Sequence, residues 1–586
     1  MPTATRHRLV PLASFLFSQA VVLLILRLPA VPHDGSWLQA FRGYFAFDQL
    51  SYAGIASTTA SGNNGLPEPF TETGQSFYPS SYYRLLGMIA KWTGSSVPAV
   101  WTILGTLVLC IAVAVVGYVG YRISQRAWAP ALVGPALTIG TLSVVLHDYW
   151  YTSLDSHAVL WGPFGALYAL NAEVAGFAAV AIALSIVLAV SLRPPHSRKT
   201  LVAWLTLAAA LIAAAANLQT YTFLIGTAMA FSWLGAYGLL RARSRALLLT
   251  TLAIVVLTFI VGPLVADRIG ALPVFALLIA CTLPGALWVA RGVVKMLVLP
   301  AVAFALVAGP QIALVASGVL AKDEFLTYRG VQSGALGVPL VAGVIATLPI
   351  GAVWLFTVLA ARHRRNDPVL GLAAGLGFAT VMLAANNAWG FGQEPYRMWI
   401  GSVVVAALML SATTAWSIAQ AHADPALRSR ASTRASASAA VILVGLAALD
   451  FGGFRQFVAT TGVIRFDSSR YVALGQLTTE VDGLMAAEPC IDPQHLKIAS
   501  RKPVAFFNRG IAWPELKGDV DGVMINAQSG VFDPDMMRKA GVTYLVTDSA
   551  CPTQWQVEGT MGALRKGSVD YSDPEQSGTL TLWRLS

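Results

Sequence analysis

The stretch FAFDQLSYAGIAS (Phe45–Ser57), continued by FTETGQSFYPSSYYRLLGMIA (Phe70–Ala90), decides how the chain is read. It sets a carboxylate, Asp48, in a half-apolar segment rich in aromatic rings, soon after the first apolar run. Asp48 and Tyr52 are four residues apart, so on a helix they share one face, flanked by Phe45, Phe47, Leu50 and Ile55. A carboxylate held this way at a membrane surface can act as a general base or position a hydroxyl nucleophile. Asp34, in VPHDGSW, competes for the role, but a Pro/Gly-containing turn gives Asp an ordinary structural use.

The surrounding chain has the composition of a membrane protein. Of 586 residues, 56% are apolar and 12% charged, with a mean hydropathy of +0.63. An average soluble domain is about 25% charged. The net charge of +10 would suggest nucleic acid or anionic lipid for a soluble protein. Here it follows from topology, because the positive charge sits in loops.

About thirteen apolar runs of roughly 20 residues, each able to cross about 30 Å of hydrocarbon, lie between Leu9 and Phe454. They include Leu9–Leu28, Ala129–Leu146, Gly162–Leu192, Val338–Ala360 and Ala437–Phe454. Leu9–Leu28 reads as a span rather than a signal peptide, since RLPAVPHDGSW offers an imperfect cleavage site. Arg and Lys gather in alternate loops, as at Arg241, Arg243 and Arg245 or Arg362, Arg364 and Arg365, and the positive-inside rule puts those loops in the cytoplasm. The expected arrangement is a cytoplasmic N-terminus and an exoplasmic chain after about Phe454.

The expected exoplasmic side then carries the long first loop, Pro29 to about Pro98, with Asp48, Tyr52 and Tyr78. It also carries HDYWYTSLDSH (His147–His157), AKDEFLTYRGVQSG (Ala321–Gly334) and NNAWGFGQEPYRMW (Asn386–Trp399). His147, Asp148, Asp155 and His157 could hold a divalent cation or support the base, and solvated loop residues are an equal account of them. Glu394, Tyr396 and Arg397 lie where the chain re-enters the membrane. The Arg397 fork suits a lipid phosphate, and an internal Glu394–Arg397 salt bridge is the plain alternative. Lys322 and Arg329 are weaker candidates for the same task. Glu173, inside an apolar run, needs a partner or a wet cavity at membrane depth.

From about Arg455 the composition becomes that of a soluble α/β domain of roughly 130 residues, enough for its own core. SSRYVALGQLTTEVDGLMAA has helical spacing, HLKIAS and VTYLVTD read as buried strands, MMRKAG as a helix end at Gly541, and TLTLWRLS as a last strand. GTMGAL and DGVM lack the strand–turn–helix context of a nucleotide-binding motif. Cys490 and Cys551 both fall in this exported part, where a disulfide can form; two unrelated thiols are the alternative. Cys110 and Cys281 lie within spans, and no Cys/His spacing resembles a zinc site.

These features resemble the GT-C glycosyltransferases, which use polyprenyl-phosphate sugars. Within that class, Asp48–Gln49 and FYPSSYYRLLGMIAKWTG (Phe77–Gly94) look similar to the loop of the actinobacterial galactan arabinofuranosyltransferase family. The architecture covers the whole chain and the motif about fifty residues. The resemblance implies an α-helical polytopic enzyme, residues 1–454, with an exoplasmic α/β domain, residues 455–586, in an actinobacterial plasma membrane that takes part in cell-wall assembly. It implies transfer of a pentose or hexose, arabinofuranose among them, from a polyprenyl-phosphate donor to a polysaccharide or glycolipid acceptor, without nucleic acid. Asp48, at the position of the family's loop Asp, would activate the acceptor hydroxyl, and Arg397 would meet the leaving phosphate. Asp48 stands alone, without the second acid of some GT-C relatives, and the chain before the loop is short for the arabinosyl family. A transporter or flippase of lipid-linked sugars is the rival. It would favour internal repeats and broken helices, and the two halves display no clear repeat.

Overall fold

The apolar runs fold as helices, because a single segment can satisfy all its backbone groups in hydrocarbon only that way. A computed structural model describes residues 2–27, 36–41, 46–65, 67–138, 163–333, 348–361, 368–391, 395–423, 464–560 and 562–586, with a few positions between 445 and 455. Asp34, His147, Asp148, Asp155, His157 and Glu394 lie outside the described residues. Tyr396 and Arg397 open the helix Pro395–Ala423, and their side chains are likewise outside the description.

Among the described residues nine helices are long and apolar enough to cross a membrane. The chain is a polytopic helical membrane protein with a small C-terminal sheet. Two expected runs fold differently. Ala129–Leu146 begins as a 3-10 turn, Ala129–Leu132, and a four-residue helix, Val133–Ala136, since Pro130 and Pro135 deny it continuous backbone bonding. Gly162–Leu192 is split into Pro163–Tyr168 and Ala172–Leu192. The second helix starts anew at Asn171, whose side chain accepts hydrogen bonds from Glu173 N and Val174 N at 3.1 and 3.4 Å. Glu173 therefore sits in a first helical turn, where the positive end of the helix dipole favours a carboxylate.

The chain packs as two units. The first comprises Met1–Pro29, Gly105–Ala313 and Gly330–Thr461. In it, 89% of the span Gly401–Gln420 is buried against protein but only 11% of Val294–Leu320, so the former is central and the latter lines the outside. Helices Thr220–Ala242 and Ala271–Arg291 approach closely through glycine. A Cβ on Gly238 would stand 2.0 Å from Gly285 O, and one on Gly285 2.0 Å from Gly235 O. Small residues at such a crossing let dispersion act between backbones where no hydrophobic drive exists.

The second unit joins Ala30–Leu104 and Leu314–Arg329 to Gly462–Ser586. Composition places a boundary near residue 454, whereas in packing the first loop groups with the C-terminal segment. Its sheet has the order β3 (Leu484–Ala487), β4 (Val542–Asp548), β6 (Ser577–Leu585), β5 (Ala563–Ser572), with β3 parallel to β4 and the remaining pairs antiparallel. A short ribbon pairs β1 (Ala40–Phe41) with β2 (Ile464–Arg465). Phe70, from the first loop, is fully buried among Leu474, Met485, Leu496, Val504 and Leu580 and meets the Phe506 ring edge-on at 4.7 Å. Its carbonyl accepts from Val504 N at 2.9 Å.

Strands VTYLVTD and TLTLWRLS and the helix end at Gly541 stand as expected. HLKIAS does not form a strand. It belongs to the helix Pro493–Ser500, started by Asp492, whose carboxylate accepts from Gln494 N at 2.7 Å, and by Pro493 at the first helical position. The run SSRYVALGQLTTEVDGLMAA is helical only over Ser469–Leu477, and its LMAA end is β3. Cys490 and Cys551 are joined as a disulfide with Cα atoms 5.5 Å apart.

Truncating Phe70 to Ala should cost about 3–5 kcal/mol of stability in the second unit. Thermal denaturation of the purified protein followed by proteolysis should report earlier cleavage within residues 462–586, and an unchanged profile would mean that Phe70 is not a core residue.

Candidate active site

Asp48 lies in the first turn of the helix Ala46–Ser61. From Gln49 to Ala60 the helix is buried throughout. The helix Ser81–Thr93 packs on it and is stopped by Gly94, which takes φ +68°. Contact between the two requires Gly87, since a Cβ there would stand 2.2 Å from Ala56 O. This pair of helices gives Asp48 a rigid support.

One turn after Asp48, the Tyr52 ring is stacked between two others. Its centroid is 4.9 Å from Tyr83 at 11° and 5.5 Å from Tyr78 at 24°. Tyr83 continues the stack onto Trp101 at 5.3 Å, and Phe325 meets Tyr78 edge-on at 6.4 Å. Burial holds the Tyr78 hydroxyl well above the usual phenol range, the neighbouring Tyr52 and Tyr83 push the same way, and the Arg329 charge pulls it back. So Tyr52 and Tyr78 form a neutral aromatic wall, with Arg329 beside it. Arg329 also reaches toward Gly510, where a Cβ would stand 3.9 Å from its Nη1.

The C-terminal segment meets Asp48 directly. Asn508 Nδ2 donates to Asp48 Oδ1 at 3.3 Å and to Ser51 Oγ at 3.1 Å. Gln494 Nε2 donates to Ser51 Oγ and to Phe47 O, both at 2.6 Å. Sequence reasoning missed Asn508, Ser51 and Gln494, because uncharged polar residues more than 400 positions apart give no signal of proximity.

A second acidic group was also missed. Glu68, wholly buried, accepts from Phe70 N at 3.0 Å and from Thr71 N and Thr71 Oγ1 at 2.7 Å each. Glu72 accepts from Lys497 Nζ at 2.7 Å and from Asn63 Nδ2 at 3.1 Å. Burial pushes Glu68 up to about 7, against the hydrogen bonds from Thr71 and Phe70 and the Lys497 charge. Burial also lowers Lys497 from its ordinary value, and Glu72 opposes that. Burial thus makes Glu68 hold its proton more readily than an ordinary carboxyl. A protonated Glu68 can donate to Thr71 Oγ1, whose own hydrogen then turns to Thr73 Oγ1 2.8 Å away.

Among the described residues, Glu488, Cys490 and Cys551 bring potential metal-ligand atoms within 4.8 Å of one another. The disulfide uses both sulfurs, so neither offers the thiolate that a metal needs. The cation set at His147, Asp148, Asp155 and His157 is outside the described residues.

No known family's sequence profile matches the chain, and no curated protein matches it. Solved structures do. The oligosaccharyltransferase AglB from Archaeoglobus fulgidus, in complex with an inhibitory peptide and a dolichol-phosphate, superposes with a TM-score of 0.50 at 13% identity, covering 92% of this chain and 69% of that one. ArnT from Cupriavidus metallidurans, bound to undecaprenyl phosphate, gives a TM-score of 0.50 at 14% identity, covering 99% of this chain and 98% of that one. At such identities the likeness is one of fold alone.

The proton on Glu68 has a testable sign. The folded acid, at about 7, binds its proton more tightly than the unfolded one at 4.5, so its contribution is full below pH 4.5 and is lost as pH rises through about 7. The difference in melting temperature between wild type and Glu68→Gln should change by several degrees across that window, moving in favour of the variant at high pH. A constant difference would show that Glu68 does not titrate there.

Proposed function

We propose that the chain is a membrane glycosyltransferase that moves a sugar from a polyprenyl-phosphate carrier to a glycan acceptor. The observation that carries this reading is Asp48. It is a carboxylate in the first turn of a buried helix, hydrogen-bonded by Asn508 and standing one turn from the Tyr52–Tyr78–Tyr83 stack. The GT-C-like fold adds support, since both structural neighbours described above were solved with polyprenyl phosphates of that kind.

In the proposed reaction the acceptor hydroxyl gives its proton to Asp48 as its oxygen bonds to the anomeric carbon. The bond from that carbon to the phosphate oxygen breaks, and polyprenyl phosphate departs with the electron pair, inverting the sugar. A departing phosphate monoester gains charge, so a cation beside it lowers the barrier. Arg397 is the proposed residue for this contact, with Arg329 next to Tyr78 as its second. The donor sugar is proposed as arabinofuranose and the acceptor as an envelope polysaccharide or glycolipid, on the sequence resemblance of the first loop. The proposed exoplasmic placing of Asp48 and of the C-terminal segment rests on the Arg- and Lys-rich loops and the positive-inside rule, and the proposed actinobacterial membrane on the resemblance.

General base catalysis contributes roughly 10²–10⁴-fold. Asp48→Asn should therefore lose at least ~10²-fold in transfer rate while donor affinity and expression stay near wild type. Full activity in Asp48→Asn, with loss in Asp34→Asn or Asp155→Asn, would move the base to that other residue.

A further inference from the structure

Asn508 sits in the turn Phe507–Ile511, which the C-terminal segment lays against the Asp48 helix. Its side chain is 4% exposed and each end is engaged. Oδ1 accepts from Gly510 N at 2.8 Å, which fixes the amide so that Nδ2 must face the helix. The two hydrogens of Nδ2 then go to Asp48 Oδ1 at 3.3 Å and Ser51 Oγ at 3.1 Å. Ser51 is fully buried and also takes the hydrogen of Gln494, itself 2% exposed, so the donor set is held by a packed shell.

We propose that Asn508 is the positioning residue of the glycosyl-transfer base, presenting a fixed, uncharged N–H to Asp48 from a segment 460 residues further along the chain. The inference rests on the reading of Asp48 as that base. A carboxylate in a first helical turn has several rotamers open to it, and one fixed donor selects among them. A charged donor would do this less well, because it would hold the pair closed against an incoming hydroxyl. Of the charges near the turn, Arg509 pairs with Asp521, and Arg329 stands beside Tyr78 and Gly510. Asn508 thus makes the C-terminal segment part of the chemistry and not merely its neighbour.

A structural role and a positioning role predict different kinetics. The full-length protein is assayed with a polyprenyl-phosphate sugar that the wild type turns over, and kcat and KM are followed against pH. Asn508→Ala should lower kcat by about 10–100-fold with little change in donor KM, as expected for a misplaced reacting group. Asn508→Asp keeps an acceptor for Gly510 but sets a second carboxylate against Asp48, so the pair shares a proton and the acid limb of the kcat profile moves up by about one pH unit or more. In the Asp48→Asn background, Asn508→Ala should cost less than about twofold, since the two act as one unit. Folded Asn508 variants with wild-type kcat and acid limb, or a loss of undiminished size in the Asp48→Asn background, would overturn the assignment. Should Asn508→Ala fail to fold, the acid limb of Asn508→Asp decides alone. An active Asp48→Asn single variant is a different outcome, which overturns the base itself.

Discussion

Lys497 donates to Glu72 across 2.7 Å with its own side chain wholly out of water, and the second unit depends on that contact. An unpaired ammonium in such a place would cost several kcal/mol, and removing one partner of a buried pair typically costs about 3–5 kcal/mol. The pair therefore does more to specify than to stabilise: the C-terminal helix Pro493–Ser500 can bury Lys497 only if the Glu68–Glu72 turn is there to receive it. Once that turn is fixed, Phe70 enters the core of the C-terminal sheet and the chain on either side of it is set. One side leads back to the Asp48 helix, and the other leads on through Tyr78 to the helix that supports it.

This arrangement gives the first-loop residue Phe70 its place in the core beneath the C-terminal sheet. The C-terminal segment gains in return a lid for its sheet and a partner for its buried lysine. The proposed chemistry falls where the two segments meet within this unit, at the Asp48–Asn508 hydrogen bond. Neither segment carries the full set of groups. The aromatic stack from Tyr78 to Trp101 adds a flat, uncharged wall that excludes water from one side of the helix.

Much of the membrane fold was legible, because hydropathy and charge act over whole segments and survive local error. Pro130 and Pro135 were the local signals for the broken start of one expected run, and Asn171 for the later start of the span Ala172–Leu192 within another, and a window average hides them. HLKIAS misled for a related reason: its alternation suits a strand, while Asp492 and Pro493 just before it are a helix start. Asp48 could be singled out because an acid among aromatic rings is costly and rare. Glu68, Glu72 and Lys497 were as informative chemically, but their meaning lies in a pairing across more than 400 residues that no periodicity encodes. Asn508 is harder still, since an amide becomes telling only when its partners are known.

The central claim is that this unit transfers sugar from a lipid phosphate. It is tested most directly by incubating the purified protein in lipid bilayers with a panel of radiolabelled polyprenyl-phosphate sugars and envelope glycan acceptors. The account predicts that one donor yields labelled glycan together with an equal amount of free polyprenyl phosphate. Labelled lipid that crosses the bilayer intact, with no donor in the panel giving up its sugar, would contradict it.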